Sequence, residues 1–134
     1  MSSPPRQKPV AIRTIALVAL ATLAGCSGEG ARAPRVEPAK ARETLRLVLD
    51  RWKEGAKPDS LKAGSPPIFV QDFDWTAGLR LVDYEVTGDG KDDDANLRIP
   101  VRLTLRDPGG REVRKEVSYV VGTAPALTVF REML

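Results

Sequence analysis

The chain has 134 residues, among them 21 lysine and arginine, 18 aspartate and glutamate, one cysteine and no histidine. This length fits a single domain. A lone cysteine excludes an intramolecular disulfide, and the lack of histidine removes the commonest metal ligand and acid/base catalyst.

Residues 1–25 resemble the signal peptide of a bacterial lipoprotein. Three basic residues precede an apolar run over residues 14–23, which is shorter than the roughly 20 residues that a membrane-spanning helix needs. The sequence from Leu23 to Cys26 reads Leu-Ala-Gly-Cys and resembles a lipobox. The resemblance implies cleavage before Cys26, acylation of that residue, including an amide-linked chain such as palmitate, and attachment to membrane lipid. An ordinary secretory signal or a short membrane anchor is the alternative.

The expected cleavage changes the charge of the protein. Residues 1–25 contain three of the 21 basic residues and no acidic residue, so the mature chain keeps 18 of each kind. A chain without net charge does not favour a nucleic-acid partner. Residues 26–37 are expected to form the lipidated cysteine and a flexible tether, and residues 38–134 a single domain.

The domain is predicted to begin with an amphipathic helix over Pro38 to Glu54. Proline is tolerated in the first helical turn, and Gly55 supplies a stop. Apolar residues recur at the spacing of one helix face, which predicts a buried stripe; they are Leu45, Val48, Leu49 and Trp52. Trp52 is expected in the core, with a position against a ligand as the alternative.

From Ile68 onward the pattern becomes that of β-strands. Residues 97–105 alternate between apolar and polar side chains, which predicts a half-buried antiparallel strand. The segment from Asp107 to Arg111 suits a three-residue hairpin loop with Gly110 in the left-handed conformation. Such a loop pairs residues whose numbers sum to 218, which places apolar residues opposite each other on one face and arginine opposite glutamate on the other.

Three further segments complete the predicted sheet. Residues 79–87 form a strand in which Leu81 faces away from the other apolar side chains, which indicates a bulge or cover on both sides. Residues 127–130 form the last strand, and residues 68–73 a short strand or an extended arm at the edge. Lys115 falls on the apolar face of the hairpin and is expected to extend its ammonium group to solvent.

Acidic residues cluster at three places. The run from Asp89 to Asp94 lacks the ligand order of a calcium loop and is interpreted as a polar hairpin loop. Asp72 and Asp74 flank Phe73 on a segment expected to be extended, which would turn both carboxylates toward solvent. Residues 83–85 would reach a cavity only in a bulged sheet. None of these clusters predicts a catalytic site, a metal site or a cofactor.

One N-terminal helix followed by a meander of strands resembles the cystatin-like and short NTF2-like arrangement. The chain also resembles small uncharacterised bacterial lipoproteins, a likeness carried by residues 52–61, 119–123 and 127–130 and extending over residues 38–134. The expected fold is therefore α+β, with one amphipathic helix packed on a curved antiparallel sheet of about four strands.

The sequence favours binding over catalysis. We expect a lipid-anchored domain of the cell envelope that binds another protein or an envelope component through a sheet edge or the loop ends. The alternative is a small-ligand or enzymatic NTF2-like pocket lined by Trp52, Tyr84 and Tyr119. A side-chain-filled interior argues against that pocket, whereas a hollow of a few hundred Å³ favours it.

Overall fold

A computed structural model describes residues 2–6 and 34–133 of the chain. The chain divides into two units, Met1–Gly30 and Ala31–Leu134, and the fold described here belongs to the second. Within the described residues, no helix has the length and apolar character needed to cross a membrane. The predicted signal peptide, lipobox and Cys26 lie outside the described residues, apart from residues 2–6.

Helix α1, Pro38–Lys53, ends one residue before the predicted boundary. It buries one face, whose residues are Ala41, Thr44, Leu45, Val48, Leu49 and Trp52. Burial of each large apolar side chain stabilises the fold by about 1.5–3 kcal/mol. Gly55 follows with φ +89°, a left-handed conformation that suits the end of a helix.

The chain is attached to the domain shortly before α1 begins. Val36, in the segment interpreted as tether, is 5% exposed, and its amide donates to the carbonyl of Asp94 at 3.0 Å. The amide of Glu37 donates to Oγ1 of Thr123 at 3.1 Å. The part of the tether that the structure describes therefore ends against the sheet.

The domain is an α+β fold with a curled, mixed sheet. The strands are β1 Ile68–Gln71, β2 Arg80–Val86, β3 Lys91–Asp93, β4 Asn96–Arg106, β5 Glu112–Gly122 and β6 Leu127–Arg131. Their order in the sheet is β1-β6-β5-β4-β2, with β3 also paired to β4. A 3₁₀ helix, Pro58–Ala63, precedes β1, and a four-residue helix α2, Phe73–Thr76, lies between β1 and β2.

The predicted hairpin register is confirmed. Strands β4 and β5 pair from Asn96 opposite Gly122 to Arg106 opposite Glu112, so every pair sums to 218. Gly110 has φ +84°, and the amide of Asp107 donates to the carbonyl of Arg111 at 2.9 Å. The bulge expected in β2 lies between Leu81 and Asp83, where the pairing with β4 shifts.

Two predictions about the sheet are wrong. The described residues contain six strands instead of about four, and β1 runs parallel to β6, so the sheet is not purely antiparallel. The pairing of Ile68 with Leu127 joins residues far apart in sequence, which no local pattern reveals. Strand β3 lies in the predicted polar loop because backbone hydrogen bonds to β4 outweigh the low strand propensity of aspartate.

Candidate functional site

The structure places the three residues of the hypothetical pocket at separate positions. Trp52 is 3% exposed and borders a cleft at the end of α1. The hydroxyl of Tyr84 donates to Asp50 at 2.7 Å, and that of the buried Tyr119 donates to Asp72 at 2.5 Å. Between α1 and the sheet, fully buried side chains fill the interior; they include Leu45, Leu49, Ile99, Leu103 and Val121. Neither tyrosine lines the cleft beside Trp52.

Asp72 is the centre of a buried polar network. The residue is 2% exposed and caps helix α2, accepting from the amides of Asp74 and Trp75 at 2.9 and 3.1 Å. The same oxygen accepts from the Arg131 guanidinium at 3.3 Å, and the other oxygen accepts from the Tyr119 hydroxyl. All described buried side-chain nitrogen and oxygen atoms have a partner. The network therefore joins α2 to strands β5 and β6.

Asp74 extends this network toward solvent. Both of its oxygens accept from the Lys115 ammonium at 3.1 Å, and Arg131 also donates to it. Burial alone would raise the pKa of Asp74, but the hydrogen bonds and charges of Arg131 and Lys115 hold that pKa below its ordinary value. Burial and the neighbouring Asp72 carboxylate raise the pKa of Tyr119. Two carboxylates and two cations thus balance in charge.

The solvent-facing positions predicted for Asp72 and Asp74 are wrong. Phe73 is 46% exposed and Asp72 is buried, because residues 73–76 form a helical turn instead of an extended segment. The Lys115 side chain is 38% exposed, and its ammonium also binds Asp74, a partner that was not predicted. The missed signal was a cation at an apolar position of a strand, where a nearby acid can bind it. Arg131 follows Leu127 and Val129 in the same way.

Residues 83–85 point toward charged partners on the surface. Asp83 lies 3.5 Å from the ammonium of Lys53, and Glu85 accepts from Arg102 at 3.1 Å. Burial and the hydrogen bond to Asp50 raise the pKa of Tyr84 to about 12. The bulge in β2 therefore does not direct these residues into the interior.

Two stacked tryptophans lie beneath the cleft beside Trp52. The rings of Trp52 and Trp75 lie 5.1 Å apart and are inclined by 8°. Their indole N–H groups donate to the carbonyls of Leu79 and Ala56, each at 2.9 Å. Trp52 is 3% and Trp75 6% exposed, so only a small part of either ring reaches the cleft. The cleft has a volume of about 640 Å³.

A second candidate is the edge of β5 beyond the end of β6. Strand β6 pairs only with Tyr119 to Gly122 of β5, and the amide of Glu132 adds one bond to the carbonyl of Ser118. In the described chain, residues 112–117 have no strand on that side. A hollow of about 360 Å³, lined by residues of β5 and the end of β6, lies at this step.

Among residues 34–133, no three histidine, cysteine, aspartate or glutamate side chains are grouped to hold a metal ion. No protein-family model matches the chain, and neither do curated proteins or solved structures. The candidate sites therefore rest on the geometry of this domain alone.

Proposed function

We propose that this protein is a lipid-anchored component of the bacterial cell envelope whose domain binds another protein and does not catalyse a reaction. The anchor is Cys26, which follows a basic stretch, an apolar run and Leu-Ala-Gly. Two acyl chains or more give stable anchoring, whereas one gives marginal binding. The observation that carries the binding proposal is the open edge of β5.

The finer fold assignment is also a proposal. We infer a cystatin-like or short NTF2-like arrangement, supported by one long helix, α1, that buries its apolar face against a sheet. In these arrangements a curved sheet wraps the helix. The inner face of β4 supplies the matching surface with alternate buried residues from Leu97 to Leu105.

The edge of β5 offers backbone groups for a partner strand. The carbonyl of Ser118 accepts from the amide of Glu132, which follows β6, and the amide of Asp107 donates to the carbonyl of Arg111 across the hairpin. The backbone amides and carbonyls of the even-numbered residues of β5 therefore point away from β4. Glu112, Arg114 and Glu116 therefore each present an amide and a carbonyl at the open edge. Such a row pairs readily with an extended segment.

The side chains along this edge define the partner. Val113 and Val117 are half-buried on the inner face, and Val117 lines the hollow. The outer face carries Glu112, Arg114 and Glu116, whose charges alternate, and Glu116 already accepts from Arg102 at 3.1 Å. The partner is therefore an extended protein segment that places apolar side chains on the inner face, antiparallel to β5 in line with β6.

A proline at Arg114 tests this pairing. Proline removes the outward amide and blocks a neighbouring strand while sparing the hydrogen bonds to β4. A photoreactive residue at Glu116 of the full-length protein in native membranes should crosslink one protein. Arg114→Pro should abolish this crosslink, and Arg114→Ala, which keeps the amide, should retain it.

The position of the crosslinker and amide exchange provide the controls. The same photoreactive residue at Glu43, exposed on α1, should not crosslink that protein. The purified partner should slow exchange of the Glu112, Arg114 and Glu116 amides and leave the odd-numbered amides, already bonded to β4, unchanged. Equal crosslinking by the Arg114→Pro and Arg114→Ala variants, or protection elsewhere only, would contradict the proposal.

A further inference from the structure

The cleft beside the two tryptophans has an apolar floor. Val70, Leu79 and Pro58 line it, and Trp52 and Trp75, which are 3% and 6% exposed, contribute a small part of their ring surface. Its volume of about 640 Å³ falls within the roughly 300–1,000 Å³ of small-molecule sites. The indole N–H groups fix both rings to the backbone, so the floor requires no rearrangement before binding.

The walls of the cleft are held by contacts distant from the opening. One wall is the loop after α1, and the other joins α2 to β2, where Gly78 has φ +91°. Asp72 and Arg131 fix α2 to the sheet from the opposite end of that helix. This arrangement keeps Trp75 stacked on Trp52.

The rim of the cleft carries two cationic side chains that have no ion-pair partner among the described residues. Lys57 and Arg80 line the opening, and within residues 34–133 neither has a carboxylate within 4.0 Å. Asp59 shares the rim, but the ammonium of Lys62 lies 3.3 Å from its carboxylate. The open rim therefore attracts negative charge above an apolar floor.

We propose that this cleft binds a small, soluble organic anion with an apolar body. The body would pack on Val70, Leu79 and Pro58 beside the small exposed parts of Trp52 and Trp75, and the anionic group would lie between Lys57 and Arg80. This site is separate from the open edge of β5, so the test of the anion site does not depend on the proposed protein partner.

Paired probes of matched shape test the proposal. Anilinonaphthalene sulfonate carries the required anion, and phenylnaphthylamine is its neutral counterpart. The sequence contains two tryptophans, Trp52 and Trp75, so tryptophan emission reports directly on this cleft. The sulfonate should quench this emission and take up its energy saturably, and the neutral probe should bind at least about threefold more weakly because it lacks the charge.

Charge-reversal variants locate the anion. Lys57→Glu and Arg80→Glu should each weaken binding of the sulfonate by roughly three- to tenfold. Lys91→Glu makes the same change in net charge on the exposed strand β3, and should alter binding by less than about twofold. Each variant should keep the wild-type unfolding midpoint in urea; where a reversal does not, Lys57→Gln or Arg80→Gln replaces it.

Three results would overturn the proposal. They are equal affinity for the neutral probe, equal effects of the rim and Lys91 reversals, and failure of the sulfonate to change tryptophan emission.

Flotation with phosphatidylglycerol and phosphatidylcholine vesicles tests whether the anion is a lipid headgroup instead of a soluble molecule. Binding to the anionic vesicles that depends on Lys57 and Arg80 and exceeds binding of the soluble probe would replace the small ligand with a lipid headgroup.

Discussion

Asp72 connects three elements of the domain through four hydrogen bonds. Its side chain accepts from two amides of α2, from Arg131 of β6 and from Tyr119 of β5. Removal of a donor from a buried carboxylate leaves an oxygen without a partner, which costs more than the loss of an exposed hydrogen bond. The network therefore determines where Trp75 lies and, through the stacked rings, the floor of the cleft.

The two tyrosines give a matched test of this network. Tyr119→Phe should lower the free energy of unfolding by about 1–3 kcal/mol, because the buried Asp72 oxygen loses its donor. Tyr84→Phe removes the same hydroxyl from an exposed hydrogen bond to Asp50 and should cost about 1 kcal/mol or less. Urea unfolding at neutral pH measures both. Equal decreases in the free energy of unfolding would show that the buried Tyr119–Asp72 hydrogen bond stabilises the domain no more than the exposed bond between Tyr84 and Asp50.

Part of this polar network could be predicted from the sequence. Lys115 and Arg131 both occupy apolar positions of their strands, and two aspartates precede a tryptophan near residue 75. The pattern indicates cations beside the core that can bind acids, but it does not say which acids approach. That choice depends on α2, whose four residues are too few to show a helical period.

Among the elements, the β4–β5 hairpin was predictable because its determinants are local. The turn residues fix the register, and the alternation of apolar side chains fixes the face. The parallel pairing of β1 with β6 depends on contacts between distant segments, and β3 depends on backbone bonds that leave its side chains exposed. Neither feature has a local signature.

Gly110 tests the hairpin at the level of the element. A Cβ at this position meets no atom within 4 Å, so a substitution is costly only through the left-handed backbone. Gly110→Val should destabilise the domain by about 1 kcal/mol or more, since β-branched residues are strongly disfavoured at positive φ. Gly110→Asn should cost less, because asparagine adopts this conformation more readily. Equal urea midpoints for Gly110→Val and wild type would contradict the turn geometry.

At the scale of the whole molecule, the proposed function combines a lipid anchor with a binding domain. The described domain presents the open edge of β5 and the tryptophan cleft as separate surfaces. Val36, near the end of the segment interpreted as the tether, donates its amide to the carbonyl of Asp94 at 3.0 Å. The lipid would confine the domain to the membrane surface and raise its local concentration near envelope partners.

The mass of the mature protein tests the central claim that Cys26 carries the anchor. Wild-type protein purified from bacterial membranes should lack residues 1–25 and carry a diacylglyceryl group and an amide-linked acyl chain. Cys26→Ser should keep the full precursor mass without acylation, and Ser27→Ala, which retains the cysteine, should still be acylated. A mature wild-type protein without acyl mass, or an acylated Cys26→Ser variant, would contradict the account.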